Sequence, residues 1–177
     1  MDDIRTLWER CIDFHGHSCT GLLTGFMAAL HASDLLSLRK SEDEGIVCIS
    51  ENDACGIDAL QVVLGCTAGR GNLLFHMTGK IAYSFYSRES GHSVRLIARG
   101  RIPGLDGMDI VEYCSLHSGE ELFEAMDTRI PLPERARIFD SYICDGCGEL
   151  AGANWMHLQN GKKLCPDCYV KYDRFRI

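Results

Sequence analysis

Four cysteines in two pairs, Cys144-Asp-Gly-Cys147 and Cys165-Pro-Asp-Cys168, have the spacing of a tetrahedral thiolate zinc site. Zn²⁺ accepts four thiolates with no electronic preference for geometry, and a CxxC on a tight turn presents two sulfurs from one side. Two such turns close the shell and leave no place for a substrate. A thioredoxin-type redox pair is the alternative for a CxxC, but that motif follows a strand in a βαβ unit, which neither pair does.

The other six cysteines sort by context. Cys11 falls on an apolar helix face, Cys48 in a strand and Cys114 in a helix, where a free thiol acts as a small hydrophobe. Cys19 and Cys55 each end a polar segment and precede a helix, a position where unpaired N–H groups and the helix dipole favour a thiolate. His15 and His17 accompany Cys19, and alternation in an extended stretch would put 15, 17 and 19 on one side. Asp58, three residues after Cys55, can share its side of a helix, and Glu51, Asn52 and Asp53 offer further oxygens. An imidazole beside a thiolate either raises its ionised fraction or joins it on a soft metal. The plain structural alternative, in which the histidines cap a helix and Cys19 packs, stays open on these residues alone.

The elements that must position these groups follow from periodicity. Ile4, Leu7, Trp8, Cys11 and Ile12 predict a helix over 3–14. A second helix, with small residues Gly21, Gly25, Ala28, Ala29 and Ala32, runs to Leu36. A strand over 46–51, a helix over 56–64 and a glycine-punctuated loop over 65–72 come next. Strands over 80–86 and 94–98 make a hairpin; helices are expected over 109–116 and, opened by Ser118 and Glu121, over 119–126. Ile130-Pro-Leu-Pro-Glu134 reads as a linker, followed by strand-like 136–142. In the tail, Asn160-Gly161 marks a hairpin turn, and a short helix from Cys165 to Asp173 would complete a treble clef. The order predicts an α+β core domain over 1–141 and a treble-clef zinc finger over 142–177. An appendage so small needs a metal to fold.

Of 177 residues, 25 are acidic and 18 basic, giving a formal charge of −7. Residues 142–177 are nearly neutral, with five basic groups against four acidic ones, so the core carries the acid excess. That balance disfavours nucleic acid as a partner. No apolar run is long enough to span a bilayer, and the N-terminus lacks a signal-peptide layout, so a cytoplasmic, thiol-reducing location is expected.

Four ordered segments resemble one family. His15-Gly-His-Ser-Cys-Thr-Gly-Leu22, Glu51-Asn-Asp-Ala-Cys-Gly-Ile-Asp-Ala-Leu-Gln61, Gly65-Cys-Thr-Ala-Gly69 and Gly79-Lys-Ile-Ala-Tyr-Ser-Phe85 are similar to the motifs of FmdE, the E subunit of formylmethanofuran dehydrogenase. Thr20 stands where that family usually has proline; proline would preset the start of a helix, and threonine can do a similar task as a cap. The resemblance implies an α+β core, a homodimer, a cleft where the His-x-His-x-Cys loop meets the second cysteine, and a molybdenum- or tungsten-dependent dehydrogenase as partner. The leading expectation is a metal-binding accessory protein. Cys144, Cys147, Cys165 and Cys168 hold structural zinc, and His17, Cys19 and Cys55, helped by His15, Asp58 or Cys66, form a second metal or active site. The alternatives are a thiol enzyme or redox protein using Cys19 and Cys55 with His17, and a protein-docking module built on the finger.

Overall fold

The computed structural model describes residues 3–38 and 44–174. The chain divides into two compact units, Met1–Ala136 and Arg137–Ile177. The division falls a few residues before the expected 141/142 boundary, because Ala153 N–H bonds to Asp140 O and ties that stretch to the second unit.

In the first unit, helices α1 (Ile4–His15), α2 (Thr20–Leu36) and α3 (Gly56–Leu64) pack on one face of a mixed sheet. Its strands are β1 (Ile46–Ser50), β2 (Leu73–Phe75), β3 (Ala82–Ser87), β4 (Ser93–Ala98) and β5 (Phe123–Met126), in the order β2-β1-β3-β4-β5. Only β1 and β2 pair in parallel, joined by the α3 crossover; the other pairs are antiparallel. Helices α4 (Ile110–Leu116) and α5 (Gly119–Leu122) lie between β4 and β5 in the chain.

One sequence expectation needs correction here, and one strand has no counterpart in the sequence reading. The helix over 119–126 stops after one turn, capped by Ser118, and Phe123–Met126 leaves it to become β5, because strand β4 offers it a ladder and Phe123 a buried place. The loop over 65–72 runs on into β2, three residues too short to show a period.

Every residue of β1 and β3 is buried, so both faces of the sheet are covered. Cys48, Tyr83, Phe85, Val94 and Leu96 face the helices. On the other face Val47, Ile49 and Tyr86 pack with Ile130, and Tyr86 donates to Ile130 O at 2.6 Å. Arg95 lies in β4 between Val94 and Leu96, so strand alternation sends it to that same far face, where it is fully buried. Its Nε donates to Glu51 Oε1 at 2.6 Å, and Thr78 donates to Glu51 Oε2 at 2.8 Å. The guanidinium beside it, with Thr78, outweighs burial and holds the Glu51 carboxyl below its ordinary range.

The closest packing is between α2 and α3. A methyl group at Gly25 would stand 2.0 Å from Gly56 O, and one at Gly56 would meet Tyr83 Oη, Gly25 N and Gly21 O at 2.9–3.1 Å. The two helix backbones therefore touch with no side chain between them.

The second unit holds two hairpins: β6 (Ser141–Ile143) with β7 (Leu150–Gly152), and, after a 3₁₀ turn, β8 (His157–Gln159) with β9 (Lys162–Leu164). Asn160 and Gly161 both have positive φ, 52° and 77°, as a two-residue type I′ turn requires. The strand expected over 136–142 shrinks to β6. The closing helix of a treble clef is absent among the described residues: Cys165–Cys168 is a turn, and 169–173 have no regular structure. Gln159 explains the difference. Its side chain donates to Val170 O at 2.7 Å and accepts from Val170 N, removing both backbone groups from any helix ladder.

Two outcomes are expected in urea titrations. Gly25→Ala destabilises the core by about 3 kcal/mol or more, since backbone must move to admit the methyl. Glu51→Gln costs about 3–5 kcal/mol by leaving the Arg95 charge buried without its counter-charge. The carboxylate's contribution is fully present above its unfolded pKa and is lost as pH falls through the lowered folded value, so wild type should approach the variant in acid.

Candidate metal centre and cleft

Helix α1 ends at His15, and Gly16 caps it in the left-handed region (φ 92°), its N–H bonding Ile12 O. The chain reverses there, and Cys19 becomes the N-cap of α2, its sulfur accepting from Leu22 N at 3.3 Å. His15, His17 and Cys19 converge through this capped turn and not through extended alternation: one ligand atom from each lies within 4.8 Å of the others.

His15 is oriented from α3. Its Nδ1 is 2.7 Å from Asp58 Oδ2, while Gln61 Nε2 donates to Asp58 Oδ1 at 3.1 Å. With Nδ1–H given to the carboxylate, the lone pair on Nε2 faces Cys19 Sγ, 3.7 Å away. The Asp58 carboxylate raises the pKa of His15 above its ordinary value against the effect of burial.

The contact between α2 and α3 brings Cys55 to the edge of this group, although its sulfur is not among the ligand atoms that lie within 4.8 Å of one another. Cys55 directly precedes α3, and a methyl group at Gly21 would press on Cys55 Cβ at 3.0 Å, with Cys55 Sγ at 3.4 Å and Cys19 Sγ at 3.8 Å, so glycine there lets Cys55 lie this close to α2. Burial pushes the Cys19 thiol up, but the Leu22 N–H, His15, the Cys55 thiol and the Gly21 N–H together bring it below the ordinary value. Burial, and then the bond given to Cys19, raise that of Cys55. Of the two, Cys19 is thus the more acidic thiol and Cys55 the less acidic. Beside them opens a cleft of about 320 Å³ lined by His15, Asp53, Ala54, Cys55, Ile57, Asp58 and Phe75.

Cys66 is not brought to this place. It lies past the far end of α3, about 13 Å of helix from Cys55. It is buried with its sulfur toward Ile46 O, and burial pushes its pKa to about 12. Glu51 and Asn52 also turn away: Glu51 holds Arg95, and Asn52 bonds Lys80 O and Ala54 N. Phe75 has no signal in the sequence, because the three-residue strand it ends carries no pattern of its own.

In the second unit the four sulfurs of Cys144, Cys147, Cys165 and Cys168 also lie within 4.8 Å of one another. Four sulfurs 2.3 Å from a tetrahedral zinc stand about 3.8 Å apart. Cys147 and Cys165 are at 3.9 Å. N–H groups of Cys165 and Gly146 point at Cys144 Sγ at 3.3 and 3.4 Å. Backbone donors, that of Cys165 foremost, lower the Cys144 thiol to about 6, while hydrogen bonding to the Cys144 sulfur and then to its other neighbours drives Cys168 to about 12. Four sulfurs this close would repel one another as thiolates, and a cation between them would offset that repulsion. The cluster can hold a metal such as zinc.

Among the described residues no helix is long and apolar enough to cross a membrane. A curated protein from Archaeoglobus fulgidus, named "Probable S-adenosyl-L-methionine-binding protein", is 28% identical over 195 residues, covering 92% of this chain and 52% of that protein. The chain therefore spans about half the length of that relative. The crystal structure of a tungsten formylmethanofuran dehydrogenase FmdE-like protein from Syntrophus aciditrophicus superposes with a TM-score of 0.62 at 23% identity, covering 93% of this chain and 91% of the other, a likeness of fold. A family model described as "FmdE, Molybdenum formylmethanofuran dehydrogenase operon" matches residues 14–127, from the His-x-His-x-Cys turn through the last strand of the sheet. The sheet, the turn and the segment before α3 thus fall inside one family's pattern, and the chain belongs to the FmdE family.

Proposed function

We propose that this is a metal-binding accessory protein with two dissimilar centres: structural zinc on the four finger thiols, and an open centre in the core held by His15, His17, Cys19 and Cys55. One observation carries the second centre. Asp58 fixes His15 so that Nε2 stands 3.7 Å from Cys19 Sγ, close to the roughly 3.6 Å that separates nitrogen and sulfur on a tetrahedral zinc. Mixed nitrogen and sulfur donors suit zinc, nickel or copper, and a metal bound there would supply Lewis acidity or a coordination position facing the cleft. The chain's own groups do the rest: Asp58 sets the imidazole tautomer, Gln61 sets Asp58, and Gly21 lets Cys55 approach α2.

Family membership supports the wider assignment, a homodimer serving a molybdenum- or tungsten-dependent formylmethanofuran dehydrogenase. The ten cysteines, none of them in a disulfide, suit the reducing cytoplasm expected from the sequence. The name of the archaeal relative makes S-adenosyl-L-methionine a ligand to try in the cleft. The exposed Leu150, Trp155 and Leu158 of the finger suit a docking role besides its metal. The lowered pKa of Cys19 favours a second reading, in which this thiolate is a nucleophile or half of a redox pair with Cys55.

Metal analysis of the pure protein is expected to give two equivalents per chain. Cys19→Ser with Cys55→Ser should remove one of them and leave the finger's; unchanged content would sink the core centre. Chelation should unfold the finger hairpins, because structural zinc supplies roughly 10–16 kcal/mol of such a domain's folding free energy.

In metal-free protein, alkylation against pH separates the thiols. A lowered pKa means thiolate at lower pH, so Cys19 should react first, and Cys55 only at higher pH. His15→Phe should shift the Cys19 profile upward. If bound metal leaves Cys19 reactivity untouched, the thiol reading gains over the metal one.

A further inference from the structure

The cleft has walls that a metal centre does not use. Asp58 is fully engaged, one oxygen with His15 and the other with Gln61. Asp53 is exposed, and among the described residues its carboxylate shows no hydrogen bond or ion pair. Phe75, at the end of edge strand β2, is 47% exposed and presents an aromatic surface to the same space, with Ala54 and Ile57 as the remaining apolar wall. Among the described residues no lysine or arginine lines the cleft.

We propose that this cleft selects a small organic cation, with Asp53 as counter-ion and Phe75 as the ring over which the charge sits. The proposal rests on the reading of the cleft as the protein's working site. A free carboxylate beside an aromatic face is the arrangement that binds ammonium, sulfonium or pyridinium groups, through Coulomb attraction and the ring quadrupole together. The volume, about 320 Å³, is at the small end of the range for organic ligands.

An anion finds much less. The amino termini of α2 and α3 meet here, but several of their donors are spent internally: Leu22 N–H on Cys19, Ile57 N–H on Ala54 O, Asp58 N–H on Cys55 O and Ala54 N–H on Asn52. A divalent metal does not reverse the sign either, since the thiolates of Cys19 and Cys55 would neutralise its two charges and leave Asp53 unbalanced.

The test uses choline and its uncharged isostere 3,3-dimethylbutan-1-ol, titrated by NMR against the full chain as purified, with metal content measured on the same samples. Choline should bind at least about tenfold more tightly than the alcohol. Asp53→Asn should remove that preference, Phe75→Leu should weaken choline severalfold, and Phe75→Tyr should retain it, with metal content constant throughout. Equal binding of the two probes, no saturable binding of choline, or a preference that survives Asp53→Asn each overturns the proposal. A sample with finger metal only would count against the core centre, while the comparison of probes would still decide the cleft's charge selectivity.

Discussion

Two helices that touch backbone to backbone are the constraint on which the site depends. Helix–helix distances are ordinarily set by side chains at 8–10 Å between axes. At Gly25 and Gly56 the side chains are missing, and even a methyl would overlap a carbonyl. This approach puts the start of α3 against the first turns of α2, and so Cys55 against Cys19. It also sets the positive ends of two helix dipoles side by side, an arrangement that needs negative charge nearby. The Cys19 sulfur at the N-cap of α2 and Asp58 in the first turn of α3 answer it. The same packing that builds the core therefore favours a thiolate at its edge.

The sheet supplies the second fixed point. Glu51 follows β1 and is gripped from the far face by Arg95, while Asn52 is tied to Lys80 O. Between this anchor and the start of α3 only Asp53 and Ala54 intervene before Cys55. A buried ion pair is costly to desolvate and is weak evidence of net stability. Its effect here is better described as positional: it fixes where the short segment carrying one wall of the cleft can begin.

Much of this was legible in the sequence. The thiol quartet was readable because zinc imposes a spacing, and α1, α2 and α3 because one-sided burial imposes a period. His15, His17 and Cys19 were readable as neighbours in the chain, although a capped helix end and not an extended strand brings them together. What escaped were features set by distant partners. Arg95 looks like the polar side of an alternating strand, and nothing local says that the far face is covered. Phe123–Met126 looks helical until the edge of β4 claims it, and Val170 cannot show that Gln159 will hold it extended. Cys66 sits in a motif that resembles the family's, yet its place past the end of α3 is a packing position. The role of Phe75 depends on a three-residue strand that exists only because β1 is beside it.

The parallel pairing of β1 with β2, one pair among antiparallel ones, bears on the order in which the two groups of thiols are brought together. The finger's ligands lie within 24 positions, and its hairpins are local, so it can close early around a metal ion. Cys19 and Cys55 are 36 positions apart, and the segment bearing Cys55 is set only when β1 has found β3 and β2 across long loops. During synthesis these two thiols thus emerge first but converge last. Until they converge, the core cysteines of a newly made chain are exposed soft donors, and a reducing medium would protect them from oxidation.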